Sequence, residues 1–261
     1  MNAHDRWSRI LDELAENVQL NVEEASKFLQ VSAATVRRDL DYLAQLQLLT
    51  RTRGGAVSNS TAYDLPLRYN AARNVPQKVC IAEATSALIP LGSVVAIGGG
   101  TTTAEVARSL GKRSDLHASS SGVALTIVTN SINIANDLTV HSHLNLVVLG
   151  GTVRSQSYEL TGRLPLLALR EMAIDIAVLG GNAINLQMGL SCHNESEASI
   201  ASEIADRASF VIAVLDSSKL NKHSFARVCA IQDINTLVTD KNADFGFVEE
   251  LKEAGVEVVL A

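Results

Sequence analysis

"SAATVRRDL", residues 32–40, sets Arg37 and Arg38 side by side in the first turns of a segment patterned as a helix. A helix start already carries partial positive charge, so cations there are locally unfavourable. An external anion reverses that balance, and DNA is a polyanion with base edges that arginine can read. Ser32 is a good N-cap residue, and Val36, Leu40, Leu43 and Gln47 then fall along one apolar-facing stripe. Stepping about 100° per residue from Val36 puts Ala34, Arg38, Asp41 and Gln45 opposite, with Thr35, Arg37 and Tyr42 on the flanks. The stripe predicts packing on neighbouring helices. The outer front of Ala, Thr and Arg is what a recognition helix offers the major groove.

Working outward, "DRWSRILDELAEN" (5–17) carries Trp7, Ile10, Leu11 and Leu14 on one helical face. "NVEEASKFLQ" (21–30) follows, with Asn21 and Glu24 at the spacing of a capping box. Downstream, "LLTRTRGGAV" (48–57) sets Arg51 and Arg53 at alternate positions before Gly54-Gly55. That reads as a β-hairpin wing with both arginines toward a DNA backbone or minor groove. Residues 1–57 are thus expected to form a winged helix-turn-helix domain whose DNA contacts are Ser32, Ala34, Thr35, Arg37, Arg38, Arg51 and Arg53. Asp39 would be repelled by DNA and is expected to orient Arg37 or an arginine of the first helix. A solvated three-helix bundle is the competing interpretation of the spacing.

The whole chain has a formal charge of −6, yet residues 31–57 hold four Arg against Asp39 and Asp41. Positive charge is concentrated rather than abundant, which predicts few phosphate contacts and a salt-sensitive affinity. The 261 residues, 47% of them hydrophobic with only four Pro, suit a packed core plus a small module. Cys80, Cys192 and Cys229 make no CxxC pair, so buried reduced thiols are expected rather than a disulfide framework or zinc site. His141 and His143 form an HxH without a third ligand nearby and are expected in an exposed loop. No metal or cofactor is implied. The opening "MNAHDRWSRI" lacks the apolar centre of a signal peptide, and no apolar run is long enough to span a membrane. The expected setting is cytoplasmic.

"SNSTAYDLPLRYNAARN" (58–74) is polar, is broken by Pro66 and reads as a linker. A helix is expected from about Gln77 to Leu88, using Val79, Ile81, Ala82, Ala84, Leu88 and Ile89. Then come "VVAIGGGTTT", "TIVTNS", "LNLVVLGG", "DIAVLGGN" and "FVIAVLDSSK", with helical patterns at 101–110, 163–172 and 195–208. Continuous Val/Ile/Leu strands alternating with helices predict a mostly parallel sheet covered on both faces over 75–261. The expected architecture is therefore α/β, a small N-terminal winged helix-turn-helix domain plus a C-terminal α/β sheet domain. Ligands of such sheets bind beyond the carboxyl ends of the strands.

The most specific part of that rim is "IGGGTTTAEVARSLG" (97–111), a strand, three Gly, three Thr and a helix expected to stop at Gly111. Backbone N–H groups of Gly98, Gly99, Gly100, Thr101, Thr102 and Thr103, with the Thr hydroxyls, suit a phosphate. It lacks the spacing of a dinucleotide fingerprint or a Walker loop. "DSSK" (216–219) adds Asp216, suited to sugar hydroxyls, and Lys219, suited to a phosphate.

Arg6, Ile10 and Leu14, then Ser32, Thr35, Val36, Arg37, Arg38, Asp39 and Leu40, resemble the helix-turn-helix signature of DeoR-type bacterial repressors. The usual "RxHGGA" wing reads "RTRGGA" here, with Arg53 in the histidine position. The second half resembles the same family's effector domain, which is itself similar to ribose-5-phosphate isomerase. "TNS" (129–131), "GGTVR" (150–154) and "SFAR" (224–227) extend that likeness. The resemblance implies Asn130, Arg154 and Lys78 as further effector contacts. "LGGNAI" (179–184) departs from the family's "LGANGI", with Ala183 replacing a Gly.

The isomerases' Lys-Gly-Gly loop and catalytic Glu have no counterpart in "GGNAINLQMGLSCHNESEASI", where Glu195 and Glu197 head an amphipathic helix as dipole-favoured acids. A regulator rather than an enzyme is expected. The resemblance implies a carbohydrate repressor that binds a double-stranded DNA operator as a homo-oligomer, dimer or tetramer, and is released by a phosphorylated sugar or polyol. An isomerase-like enzyme with an appended DNA-binding module is the rival, and an activator uses the same readout surface.

Overall fold

The computed structural model describes residues 3–45, 48–58, 73–117 and 124–261. The chain divides into two compact units, Met1–Arg73 and Asn74–Ala261. Of the expected linker 58–74, residues 59–72 lie outside the described residues, as does Gln47 of the helical stripe.

The first unit runs α1 (Ala3–Asn17), β1 (Gln19–Asn21), α2 (Val22–Leu29), α3 (Ala33–Gln45), β2 (Leu49–Arg51) and β3 (Gly55–Ser58). Ile10, Leu11 and Leu14 of α1, Ala25 and Leu29 of α2, and Val36, Leu40 and Leu43 of α3 make one buried core, as their helical spacing requires. Asn21 caps α2 through the Glu23 N–H at 2.8 Å, not through the expected box with Glu24. Ser32 Oγ accepts the Thr35 N–H at 3.2 Å and starts α3.

The wing has a third strand. β1, only three residues long, pairs antiparallel with β3, giving the order β1-β3-β2. The glycine pair therefore divides its work. Gly54 lies in the open turn, whereas Gly55 sits in β3 opposite Asn21, where a Cβ would collide with the Leu20 carbonyl.

The second unit continues with α4 (Val75–Ala87), β4 (Val94–Ile97), α5 (Thr101–Lys112), α6 (Ser114–His117), β5 (Leu125–Thr129), α7 (Ile132–Leu138) and β6 (Leu144–Val148). Next come β7 (Thr152–Arg154), β8 (Glu159–Thr161), α8 (Arg163–Arg170), β9 (Ile174–Leu179), β10 (Ala183–Asn185), β11 (Gly189–Cys192) and α9 (Glu195–Arg207). The last elements are β12 (Ala208–Val214), β13 (Ala226–Cys229), β14 (Thr236–Thr239), α10 (Phe245–Glu253) and β15 (Glu257–Leu260).

A seven-stranded sheet in the order β15-β14-β12-β9-β4-β5-β6 is the frame, and its pairings are all parallel. The expected five strands are all in it, and β14 and β15 extend one edge. Side chains alternate between two cores. Ala96, Ala177, Leu179, Val211, Ala213 and Leu237 face one, packed with α9 and α10. Val95, Ile97, Val178, Ile212, Val214 and Val238 face the other, under α4, α5 and α7. Burial on both faces is why these strands read as unbroken apolar runs.

Several local expectations are corrected. The inward face of α4 is Lys78, Ile81, Ala82, Thr85 and Ser86, while Val79 and Leu88 are exposed. The helix starts earlier than expected because Pro76 sits in its first turn, where its missing N–H costs nothing. Gly111 does not end α5. It is buried within it, and a Cβ there would press on the His141 ring. His143 is buried and meets His141 edge-on at 5.5 Å, so the pair is not an exposed loop. Cys80 is exposed, unlike Cys192 and Cys229. Ala183 needs no glycine, because its φ is not positive.

Candidate functional site

On the first unit, Ser32, Ala34, Arg37 and Arg38 are exposed and Thr35 is half-buried, its hydroxyl 3.0 Å from that of Ser32. They lie away from the Val36, Leu40 and Leu43 stripe. Asp39 is buried within the head. Its carboxylate accepts from Arg6 Nε at 2.7 Å, Arg6 Nη2 at 3.0 Å and Trp7 Nε1 at 2.7 Å. It therefore orients an arginine of α1, and its hydrogen bonds with Arg6 raise the Arg6 pKa. Trp7 also stacks on Tyr42 at 4.3 Å, so α1 and α3 are held at a fixed angle.

The two wing arginines do not act alike. Arg51 turns back to α3, its Nε 2.7 Å from Asp41 Oδ1 and its Nη1 donating to the Gly55 carbonyl. Arg53 stands exposed in the turn. The expectation that both point outward together holds for Arg53 only.

On the second unit, the chain adds strands β4, β5 and β6 in one direction and then β9, β12, β14 and β15 in the other. The order reverses between β4 and β9, and ligands of open α/β sheets bind in the crevice at such a switch point. The glycine–threonine loop leaves β4 at this point and Gly180-Gly181 leaves β9. A Cβ on Gly180 would stand 3.5 Å from Thr103 Cγ2 and 3.7 Å from Gly99 O, so the two loops are in near contact.

Gly100 caps α5 with φ 134°, a conformation open to glycine, and no side chain caps the helix. The first intrahelical bond runs from Ala104 N to Gly100 O, leaving the amides of Thr101, Thr102 and Thr103 at the helix start. Thr103 Oγ1 donates to the Gly100 carbonyl at 3.1 Å. Thr102 Oγ1 is buried with no hydrogen-bond partner among the described residues.

Past β12, Asp216 accepts from Asn74 Nδ2 at 3.1 Å, from the Ser218 N–H at 3.2 Å and from the Ser218 hydroxyl, all on Oδ1. Burial opposes its ionisation, but Lys219, Ser218 and Lys78 outweigh burial and hold the carboxyl below its usual range. Lys78 reaches this group from the buried face of α4. Lys219 Nζ donates to the Gly181 carbonyl at 2.8 Å, which ties the β12 loop to the β9 loop. Lys78, Asp216 and Lys219 are thus one electrostatic cluster beside the switch point.

The other side of the rim is acidic. Arg154, on β7, lies with its Nε 2.9 Å from Glu197 Oε1, and both side chains are largely buried. Glu197 is therefore an ion-pair partner, while the N-cap of α9 is Asn194, which accepts from the Ser196 and Glu197 amides. Asn130, at the end of β5, donates through Nδ2 to Glu159 Oε2 at 3.0 Å, and its Oδ1 is buried without a partner among the described residues. The Glu159 carboxyl occupies the space where a side chain on Gly99 would begin. Burial and then the Glu197 charge push it up to about 8, against the opposing pull of Asn130 and Arg154.

Glu159 carried no signal in the sequence. It lies in a polar stretch whose three-residue strands are too short to show alternation, and Asn130 and Glu197 reach it from distant segments on either side in the sequence. Asp240, buried and accepting from Ser217 N at 2.7 Å, escaped for the same reason. His193 Nδ1 pairs with Ser224 Oγ at 2.6 Å. Among the described residues no group of three or more His, Cys, Asp or Glu is placed to hold a metal, and no helix is long and apolar enough to cross a membrane.

Known proteins agree with this division. Residues 6–62 match the model of the DeoR-like helix-turn-helix domain, and residues 73–241 that of the DeoR C-terminal sensor domain. The chain is 32% identical to the HTH-type transcriptional regulator GlpR of Haloferax volcanii, over 98% of this chain and 96% of that one. It is 27% identical to the glycerol-3-phosphate regulon repressor of Escherichia coli K12 over the full length of both. Ribose 5-phosphate isomerase A of Methanocaldococcus jannaschii overlays 56% of this chain and 55% of its own at 20% identity and a TM-score of 0.41, a likeness that decides nothing about chemistry. With an arginine-fronted helix-turn-helix on one unit and a switch-point rim on the other, both matched in sequence, the chain belongs to the DeoR family of transcriptional regulators.

Proposed function

We propose that this protein represses genes of carbohydrate metabolism and leaves its operator when a phosphorylated sugar or polyol occupies the rim. The observation that carries the ligand class is the uncapped start of α5 at the switch point, with the buried Thr102 hydroxyl, unpartnered among the described residues, in its first turn. Amides there suit the phosphate. Lys219 and Lys78 supply positive charge nearby, and Asp216, whose Oδ2 takes none of the three bonds above, suits a sugar hydroxyl. Gly98, Gly99, Gly100, Thr101, Thr103 and Asn130 complete this surface. Arg154 contributes indirectly, because Glu197 already engages it. The relative named for a glycerol-3-phosphate regulon supports a small phosphate ester as the ligand.

For DNA, Arg37 and Arg38 read the major groove, Ser32, Ala34 and Thr35 line the approach, and Arg53 contacts the adjacent backbone. Arg51 braces the wing. A homo-oligomer, dimer or tetramer, presents paired heads to repeated half-sites, since one small head makes few contacts. Ligand energy then favours an arrangement of heads that no longer matches the half-site spacing. A coupling of about 1–3 kcal/mol changes operator affinity roughly 5–150-fold. The domain acts as a sensor rather than an enzyme: Glu197, one of the two acids in the segment where the isomerases carry their catalytic Glu, is held by Arg154. Gel-shift titration of the operator with a panel of sugar and polyol phosphates tests this. Release by one of them supports it, and unchanged affinity with all of them refutes it.

A further inference from the structure

The Glu159 carboxyl is pressed against the glycine–threonine loop. Its Cγ, Cδ and Oε1 fill the space beside the Gly99 Cα, so a side chain at that position would displace Glu159. Asn130 holds the opposite oxygen, Oε2, and fixes the orientation of the carboxyl plane. Glu159 is buried, and no cation forms a salt bridge with it among the described residues. Arg154 on β7 acts on Glu159 as a positive charge but is already paired with Glu197 of α9, which itself repels a charge on Glu159. Cys192 of β11 also faces the group. Asn130 Oδ1 beside it and Thr102 Oγ1 in the first turn of α5 are buried without partners among the described residues. Such atoms are costly unless something else satisfies them. A small polar ligand does so.

We propose that Glu159 is a proton-gated contact for the anion at this loop: as a neutral acid it donates a hydrogen bond to a phosphate oxygen, and as a carboxylate it repels it. The inference rests on the rim being a phosphate site, as argued above. An acid kept neutral by an apolar surround is a good donor to an oxyanion, and an O–H···O⁻ bond is among the stronger hydrogen bonds. With its carboxyl pushed up to about 8, Glu159 is mostly protonated at neutral pH. Cys192, pushed up to about 12 by burial and by Glu159 and Glu197, stays a thiol throughout and does not confound the titration.

Sulfate is the discriminating probe, because it stays a dianion while phosphate monoesters titrate. The full chain is titrated calorimetrically with sodium sulfate at constant ionic strength, from about pH 6.5 to about pH 9.5. Wild type is expected to bind with constant affinity to about pH 7.5 and then to weaken by about tenfold per pH unit above the acid's midpoint. At the alkaline end it should take up nearly one proton per sulfate, read from the heat in two buffers of different ionisation enthalpy. Glu159→Gln, which keeps a donor and cannot ionise, should bind with no such fall and no proton uptake. A flat wild-type profile, or the same fall in Glu159→Gln, overturns the gate while leaving the anion site intact. No sulfate binding at any pH by either protein overturns the anion site itself, and the gate with it. The wild-type profile and its proton count stand as a test even where the variant does not fold.

Discussion

Arg154 Nε lies 2.9 Å from Glu197 Oε1, so the β7–β8 hairpin is fastened to the first turn of α9 by a largely buried ion pair. Removing one partner of such a pair leaves an uncompensated charge, which costs more than the pair itself contributes. Glu197→Ala is expected to lower stability by about 2–4 kcal/mol, measured by urea unfolding. It should also bring the Glu159 midpoint down, since the Glu197 charge helps keep it high. Carbon-13 titration of the glutamate carboxyls reads that second effect.

Asp39 makes a different prediction, because it serves the fold of the head rather than its contacts. It accepts three hydrogen bonds from Arg6 and Trp7 in a buried position. Asp39→Ala should cost about 2–3 kcal/mol and reduce operator affinity through loss of folded head, with depressed far-ultraviolet circular dichroism on heating. Unaltered thermal melting with weakened binding would make Asp39 part of the DNA surface instead.

Arg38 and Arg53 separate base reading from backbone holding. Arg38→Ala should cost about 1–3 kcal/mol at one base pair and relax preference there. Arg53→Ala should weaken all sequences alike and reduce the salt slope by about one. Arg51→Ala is expected to act on the wing's stability, given its bonds to Asp41 and Gly55. Binding-site selection with each variant at several salt concentrations distinguishes the three.

Lys219→Ala is expected to leave operator affinity unchanged and to blunt release by the effector, as seen in gel-shift titration. Release equal to wild type removes Lys219 from the phosphate site. The variant loses its bond to the Gly181 carbonyl and the charge beside Asp216, so its thermal melting is compared with wild type in the same experiment.

Glu159 also sets a pH dependence of stability. Its carboxyl titrates near 4.5 when unfolded and at about 8 when folded, so between those values the folded chain binds more protons. Stability from this group is full below the lower value and declines as pH rises toward the upper one. Glu159→Gln should flatten that decline in calorimetric melting scans, and identical profiles would show that the carboxyl ionises normally.

The parts legible in the sequence were those in which one short segment carries its own pattern. The α3 stripe of Val36, Leu40 and Leu43 declares itself because it faces a single core, and the strands around Val95 and Ile212 do so because burial on both faces makes each an unbroken apolar run. The glycine–threonine loop was legible because strand, turn and helix are contiguous. What stayed hidden was assembled across distance. β1 is three residues long and is defined by its partner β3. Arg51 had an outward alternation, but its position is decided by Asp41 on another element. Glu159 acquires its environment from β5, β7 and α9 together. Periodicity describes a segment's relation to one surface; a buried charge cluster has no period.

Strand β3 occupies the middle of the wing, hydrogen-bonded on one side to the residues that leave α1 and on the other to those that leave α3. The Arg53 tip and the Arg37–Arg38 front are consequently cast as a single stamp. Substitutions that retune the lettering of that stamp can therefore leave its shape unchanged.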